Sequence, residues 1–275
     1  MALTEGEQWT RQQLEQLLSR RFSPPAVAHF LAQSQQRANE VRRRRPDLAR
    51  QEMRWALVGA VACVPLPGRR RMLAWWALTC LMLDWHLGMF ETDDGRHRPL
   101  GPADALTLTR AWLAPAVLEA PGPALAAAGF ATDALDGLAA RSLGEPTRAG
   151  RDLEGLADAC FAAALLAGLR RRGAIGPAAS AAELVRLGAG FSYSLAVYFG
   201  RAEAPDRELT RAARPTTVLR AGGLVAAAAG RRRLGTALVA AGCAASVALV
   251  GRALSRGRLR TAGSRPGRSP TPSRR

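Results

Sequence analysis

The sequence contains no lysine. Its basic side chains are all arginine, 39 against 22 acids, for a formal charge of +17 over 275 residues. The missing lysine follows from GC-rich coding as readily as from function, but the charge itself bears on partners. A balance this positive suits an anionic membrane surface or nucleic acid. Nucleic acid is the weaker choice, because no basic patch interleaved with aromatics and no finger spacing occurs. Cysteine is scarce as well: Cys63, Cys80, Cys160 and Cys243 stand singly in apolar runs. That pattern argues against disulfides or a cysteine metal site and reads as small buried residues. The opening residues, MALTEGEQWTRQQ, lack the apolar core of a signal peptide, so insertion into a membrane would depend on internal segments.

Almost half of the chain, 48%, is hydrophobic, and at 275 residues it has room for one or two domains. Residues 8–21 predict an amphipathic helix with Trp9, Leu14, Leu17 and Leu18 on one side. Ser23-Pro24-Pro25 ends it and starts a second helix, since serine caps and proline suits a first turn. That helix ends in Arg42 to Arg45. Residues 1–52 read either as a cytosolic helical cap on anionic lipid or as a solvated helical hairpin. His29, alone on an apolar face, is expected in the core.

Within residues 53–92, the apolar stretches 55–67 and 72–90 flank Gly68-Arg69-Arg70-Arg71 and predict a membrane hairpin. Trp55, Trp75, Trp76 and Trp85 lie near its ends, where interfacial aromatics belong. Asp84 and His86 fall inside its second helix. An intramembrane acid is a functional candidate, and interfacial placement accounts for it equally well. Six further helices follow at about 103–120, 122–141, 150–169, 177–199, 215–230 and 235–252, rich in Ala and Gly as close membrane packing favours. Residues 253–275 form a basic tail of Arg, Ser, Pro and Gly, expected to be disordered. The expected fold is all-α: a polytopic membrane helical bundle, with a six-helix core preceded by a helical hairpin and a cytosolic helical N-terminal segment.

The carboxylates of Thr132 to Asp158 are ordered. Asp133 and Asp136 are three apart and Glu154 and Asp158 four apart, so on helices each pair shares a face. Gly137 and Ala140 sit beside the first pair and Gly150 one turn before Glu154, small residues that let a ligand approach the backbone. Arg141 and Arg148 lie between the pairs. Hard divalent cations take oxygen ligands and share them with substrate phosphates, so the pattern points to metal-assisted phosphoryl transfer.

These residues carry a resemblance. Asp133-x-x-Asp136-Gly137-x-x-Ala140-Arg141, eight residues, then Gly150-x-x-x-Glu154-x-x-x-Asp158 resembles the signature of the CDP-alcohol phosphatidyltransferases, with Glu154 where aspartate is usual. Pro102, Asp104, Leu106, Thr107 and Arg110 resemble the start of that family's first core helix, with Asp104 where asparagine is usual. The resemblance covers about residues 101–252. It implies an integral-membrane enzyme of six core helices that moves a phosphatidyl or related group from a CDP-linked lipid donor to an alcohol, releasing CMP. It implies Mg²⁺ or Mn²⁺ on Asp133, Asp136, Glu154 and Asp158, with Asp158 as general base. Gly137, Ala140, Thr107 and Gly150 would make room for the nucleotide, and Arg141 would pair with a phosphate. Homodimers occur in the family.

Arg186, Arg214 and Arg220, on the fourth and fifth core helices, are candidates for a phosphorylated polyol acceptor. Glu183 is expected to satisfy one of the three, as a buried pair with Arg186, unless Arg186 faces the site. With the acids facing the cytoplasm, so do both termini and the loops 141–149 and 200–214. Those segments hold more arginine than the opposite turns, although Arg69, Arg170 and Arg231 each begin an Arg triplet there. Three rival readings are a catalytically lapsed family member serving as a membrane scaffold, an intramembrane aspartyl protease, and a soluble basic protein on nucleic acid.

Overall fold

The computed structural model describes residues 4–66, 68–92, 94–143, 147–201 and 207–263; for 141, 148, 194–201, 207–213, 250 and 253–263 it describes the backbone alone. Ten α-helices form among the described residues, and no strand: α1 (Glu5–Ser19), α2 (Pro24–Arg44), α3 (Pro46–Cys63), α4 (Arg69–His86), α5 (Pro102–Glu119), α6 (Pro123–Ser142), α7 (Arg148–Arg171), α8 (Pro177–Arg201), α9 (Arg207–Ala228) and α10 (Arg232–Gly263). A 3-10 turn, Leu87–Met89, extends α4.

The boundaries follow from local chemistry. Proline opens α2, α3, α5, α6 and α8, where a missing N–H costs nothing. Thr4 and Glu7 cap α1 reciprocally, and Thr147 caps α7 by accepting the Gly150 N–H at 3.0 Å. Gly173 (φ 67°) and Gly230 (φ 81°) turn the chain after α7 and α9, a left-handed conformation that suits glycine.

Several expectations change. α3 runs unbroken through the boundary drawn between residues 52 and 53, because Pro46 starts a single helix. α9 begins at Arg207 with Pro215 inside it, and α10 continues to Gly263, past the predicted start of the tail. The rest of the tail lies outside the described residues. His29 is exposed, not in the core: α2 turns that face outward.

Two apolar cores flank the centre. One joins Leu113 and Val117 of α5 to Ala126, Phe161, Leu165, Leu224 and Val239. The other joins α3, α4 and the start of α5 through Leu48, Trp76, Leu83, Leu100 and Leu108, and Trp112 packs on both. Tryptophans of the hairpin and of α5 act as pins between helices: Trp75 Nε1 donates to the Ala111 carbonyl (2.7 Å), Trp76 to Ala56 (2.8 Å) and, on α5, Trp112 to Gly59 (3.1 Å). α9 and α10 cross where Gly223 meets Gly235; a Cβ on Gly235 would lie 2.7 Å from the Gly223 carbonyl oxygen. Such small-residue crossings are how membrane helices pack.

Among the described residues one helix, α10 through Arg232–Leu249, is by itself long and apolar enough to cross a membrane. Elsewhere arginines and acids interrupt the apolar runs. Large apolar side chains nevertheless face outward, among them Met53, Leu57, Val58 and Val61 on α3 and Leu184, Val185 and Phe191 on α8.

Asp84 is paired. It accepts from Arg42 at 2.9 Å and from Gln35 at 3.4 Å, fastening α2 to α4. Glu52, a turn ahead of the apolar part of α3, is buried beside this pair and Cys80. Burial pushes its carboxyl from 4.5 up to about 7; the Asp84 charge adds to the rise and Arg42 opposes it. Between these values the folded chain keeps a proton that the unfolded chain releases. Glu52 therefore contributes most below about pH 4.5, and that contribution is lost as pH rises through 7. Glu52→Gln should raise stability above pH 7 by about 1–2 kcal/mol and flatten the profile between pH 5 and 8. Thermal unfolding in detergent across that range checks it; an unchanged slope would count against the assignment.

Candidate functional site

Three consecutive core helices converge on the acids. α6 presents Asp133 and Asp136 three residues apart, α7 presents Glu154 and Asp158 four apart, and α5 presents Thr107 and Arg110 between them. Carboxylate oxygens of Asp133, Asp136 and Glu154 lie within 4.8 Å of one another. The extra methylene of Glu154 does not keep it from the cluster.

Arg110 organises the centre. Its side chain is 1% exposed, and it donates to carboxylates on both neighbouring helices: to Asp136 and Asp158 in close contacts, and to Asp133 at 3.4 Å. Its Nε reaches Thr132 Oγ1 at 3.4 Å. Thr107 Oγ1 donates to Asp136 Oδ2 at 3.1 Å. Asp158, with 45% of its side chain exposed, is the more open end of the group; Asp136, at 3%, is the closed end. Asp136 Oδ1 is buried with no hydrogen-bond partner. A buried carboxylate oxygen without a donor is costly unless a ligand meets it.

An all-oxygen donor set with one oxygen unsatisfied fits a hard divalent cation such as Mg²⁺ or Mn²⁺. Asp133, Asp136 and Glu154 would hold it, and Asp158 is one helical turn from Glu154. Gly137 and Ala140 are half-buried on α6 beside Asp136. Gly150 packs tightly at the start of α7: a Cβ there would lie 3.0 Å from Thr147 Oγ1 and 3.5 Å from Asp104 Oδ1. The Arg141 side chain falls outside the described residues.

The second group lies among α8, α9 and α10. Glu183, fully buried, accepts from Arg186 (2.9 Å), Arg220 (2.8 Å) and the Cys243 thiol (2.9 Å). One carboxylate thus serves two guanidiniums, where the sequence suggested one. The Nε atoms of Arg186 and Arg220 are buried without partners. Arg214 is exposed and does not join this cluster.

Sequence reasoning passed over Arg110 as a site residue, although an arginine in the middle of the apolar helix TLTRAWLA was the signal for it. It also passed over Arg98, whose guanidinium holds Asp104 at 2.9 Å.

Carboxylates from two adjacent helices, an arginine among them and a buried carboxylate oxygen without a donor form a group suited to a divalent cation inside a helical bundle. The sequence profile of the CDP-alcohol phosphatidyltransferase family matches residues 100–248, more than half of the chain and the whole of this site. The chain belongs to the CDP-alcohol phosphatidyltransferase family. No curated protein and no solved structure matched it. The family is membrane-integral, uses a divalent metal and transfers a phosphoalcohol from a CDP-alcohol to an alcohol.

Removing Arg110 should expose how far the acids depend on it. Arg110→Met leaves Asp136 buried and unpaired, which should cost about 3–5 kcal/mol in chelator. Mn²⁺ should recover part of the loss, because a divalent cation replaces the missing charge. Thermal unfolding with and without Mn²⁺ checks this; a variant as stable as wild type would show that Arg110 does not neutralise the acids.

Proposed function

We propose that the chain catalyses divalent-metal-dependent transfer of a phosphatidyl or related phosphoalcohol group from a CDP-linked lipid to a phosphorylated polyol, releasing CMP, in phospholipid synthesis. The observation that carries this reading is the convergence of Asp133, Asp136 and Glu154 within 4.8 Å, one turn from Asp158, inside the family segment.

When bound, the metal offsets charge on the donor pyrophosphate and on the departing CMP. The chain supplies the rest. Asp158, the open end of the cluster, takes the proton of the acceptor hydroxyl as its oxygen attacks the phosphorus bearing the alcohol. The bond from that phosphorus to the CMP oxygen breaks, and CMP leaves with the electron pair. Arg110 and Thr107 hold Asp158 and Asp136 in place, which keeps the base aimed without reorganisation. Gly137 and Ala140 keep the backbone accessible to the nucleotide, Gly150 lets the first turn of α7 close on Thr147 and Asp104, and Arg141 pairs with a phosphate.

The acceptor reading draws on charge. Two guanidiniums on Glu183 leave a net positive cluster whose Nε donors are unpartnered, and a phosphate accepts such forked donors well. Arg214, exposed on α9, is the first contact for an incoming acceptor. The acid site and both termini face the cytoplasm, anionic lipid lies against the arginine-rich segments, and two copies pair.

Purified protein offered CDP-diacylglycerol and a panel of polyol phosphates should release CMP with Mg²⁺ or Mn²⁺. Asp158→Ala and Asp133→Ala should each lower the rate by at least about 100-fold. Full turnover in chelator, or wild-type rates in Asp158→Ala, would remove the reading. Glu154→Asp should keep activity and Glu154→Gln lose nearly all of it; a silent wild type revived by Glu154→Asp would instead support a lapsed enzyme. For the acceptor, Arg214→Ala should raise the KM for the polyol phosphate and leave the donor KM unchanged. Efficient use of an unphosphorylated alcohol would overturn that assignment.

A further inference from the structure

The helices α1 to α3 lie ahead of the family segment, and α1, α3 and the Arg45 joint between α2 and α3 grip one short connector, described at residues 90–92 and 94–101. The Gly6 N–H donates to Glu91 Oε2 at 3.2 Å. The Arg45 guanidinium donates to the Arg98 carbonyl at 2.8 Å. Gln51 takes both sides of Leu100, donating to its carbonyl (2.7 Å) and accepting its N–H (2.9 Å). An amide that satisfies both polar groups of one residue fixes that residue as a strand partner would.

The other side of the connector touches the helices that carry the acids. Thr92 makes an isolated antiparallel bridge with Thr147, the residue that caps α7. Arg98 donates to both oxygens of Asp104, at 2.9 and 3.1 Å, and Asp104 accepts the Gly101 N–H at 2.7 Å, capping α5. Asp104 also lies against Gly150 in the first turn of α7. Thr92, Arg98, Leu100, Asp104 and Thr147 are all buried. α5 carries Thr107 and Arg110, and α7 carries Glu154 and Asp158. The placement of their first turns therefore determines whether Arg110 meets Asp158.

We propose that Arg98 is a positioning residue for the transfer site, and that the N-terminal helices act on the site through it. They hold the connector, and Arg98 holds Asp104, which sets the start of α5 against the start of α7. The kinetic part of this inference rests on the function proposed above; the structural part does not. Its chemistry makes a specific demand. Without Arg98, the buried Asp104 carboxylate has no cation and is driven out of the cap. An asparagine at 104 carries no charge, keeps the capping oxygen and needs no arginine.

The test uses the full chain in detergent micelles, with Arg98→Gln, Asp104→Asn, the double variant and Gln51→Leu. Backbone hydrogen exchange is followed at residues 101–105 and 147–151, with α9 and α10 as internal references. Arg98→Gln should speed exchange at both first turns by about tenfold or more, and the double variant should return to within about twofold of wild type. Gln51→Leu, which keeps the Arg98 and Asp104 side chains but frees the connector that carries Arg98, should loosen the same two turns. CMP release should show a lowered kcat in Arg98→Gln with the donor KM held within about twofold, and recovery in the double variant. Unchanged exchange at 147–151 in both Arg98→Gln and Gln51→Leu would overturn the proposal. So would equal loosening of α9 and α10, no recovery in the double variant, or an unchanged kcat where the turns are loosened. A wild type that releases no CMP counts against the proposed function, and the exchange measurements then decide this inference alone.

Discussion

A guanidinium buried to 1% exposure, in contact with carboxylates from two other helices, is the interaction on which the centre of this bundle depends. Three carboxylates with oxygens inside 4.8 Å repel strongly in a medium that screens poorly, and each is expensive to desolvate. Arg110 meets that cost from the side of α5 and ties α5 to α6 and α7. It satisfies one face of the cluster and leaves Asp136 Oδ1 turned elsewhere, without a partner. The same acids thus answer two cations, one built into the chain and one proposed to arrive. Arg110 thus holds Asp133, Asp136 and Asp158 together against their mutual repulsion before any metal is present.

The two charged groups of the core are built with opposite surpluses. Among the described side chains, Asp133, Asp136 and Asp158 meet one guanidinium at α5–α7, and two guanidiniums meet one carboxylate at α8–α10. A surplus of acids suits a cation shared with a pyrophosphate, and a surplus of arginine suits a phosphate monoester. In the proposed reaction the metal brings positive charge to the first group and the acceptor phosphate brings negative charge to the second, so binding relieves electrostatic cost that folding left in place.

The acids were legible in the sequence because helix geometry alone puts residues three and four apart on one face, and because small residues flanked them. The starts of α2, α5, α6 and α8 were legible for the same local reason, since a proline acts within a turn, whereas α9 begins at Arg207, ahead of the Pro215 that was expected to start it. What escaped reading depends on distance along the chain. The role of Arg110 needs α6 and α7 brought beside α5, and the pairing of Arg98 with Asp104 needs the connector folded back on the helix start. His29 was misplaced because periodicity shows that a helix has an apolar face without showing which residue borders solvent. Trp75 and Trp76 of the hairpin were read as interface markers; their N–H groups also pin α4 to backbone carbonyls of α5 and α3, which only the folded chain reveals. Two arginines on Glu183 were not foreseen, since local spacing reveals only the partner three residues away.

The grip of the early helices on residues 90–101 also imposes an order in time. Gln51 and Arg45, which hold the connector, precede it in the chain, whereas Asp104 and Thr147, which it holds in turn, follow it. Synthesis runs from the N-terminus at about 5–20 residues per second, and early segments fold first. The ribosome therefore delivers the holder before the held. By the time α7 emerges with Glu154 and Asp158, every residue that holds the backbone against which its first turn docks has already been made.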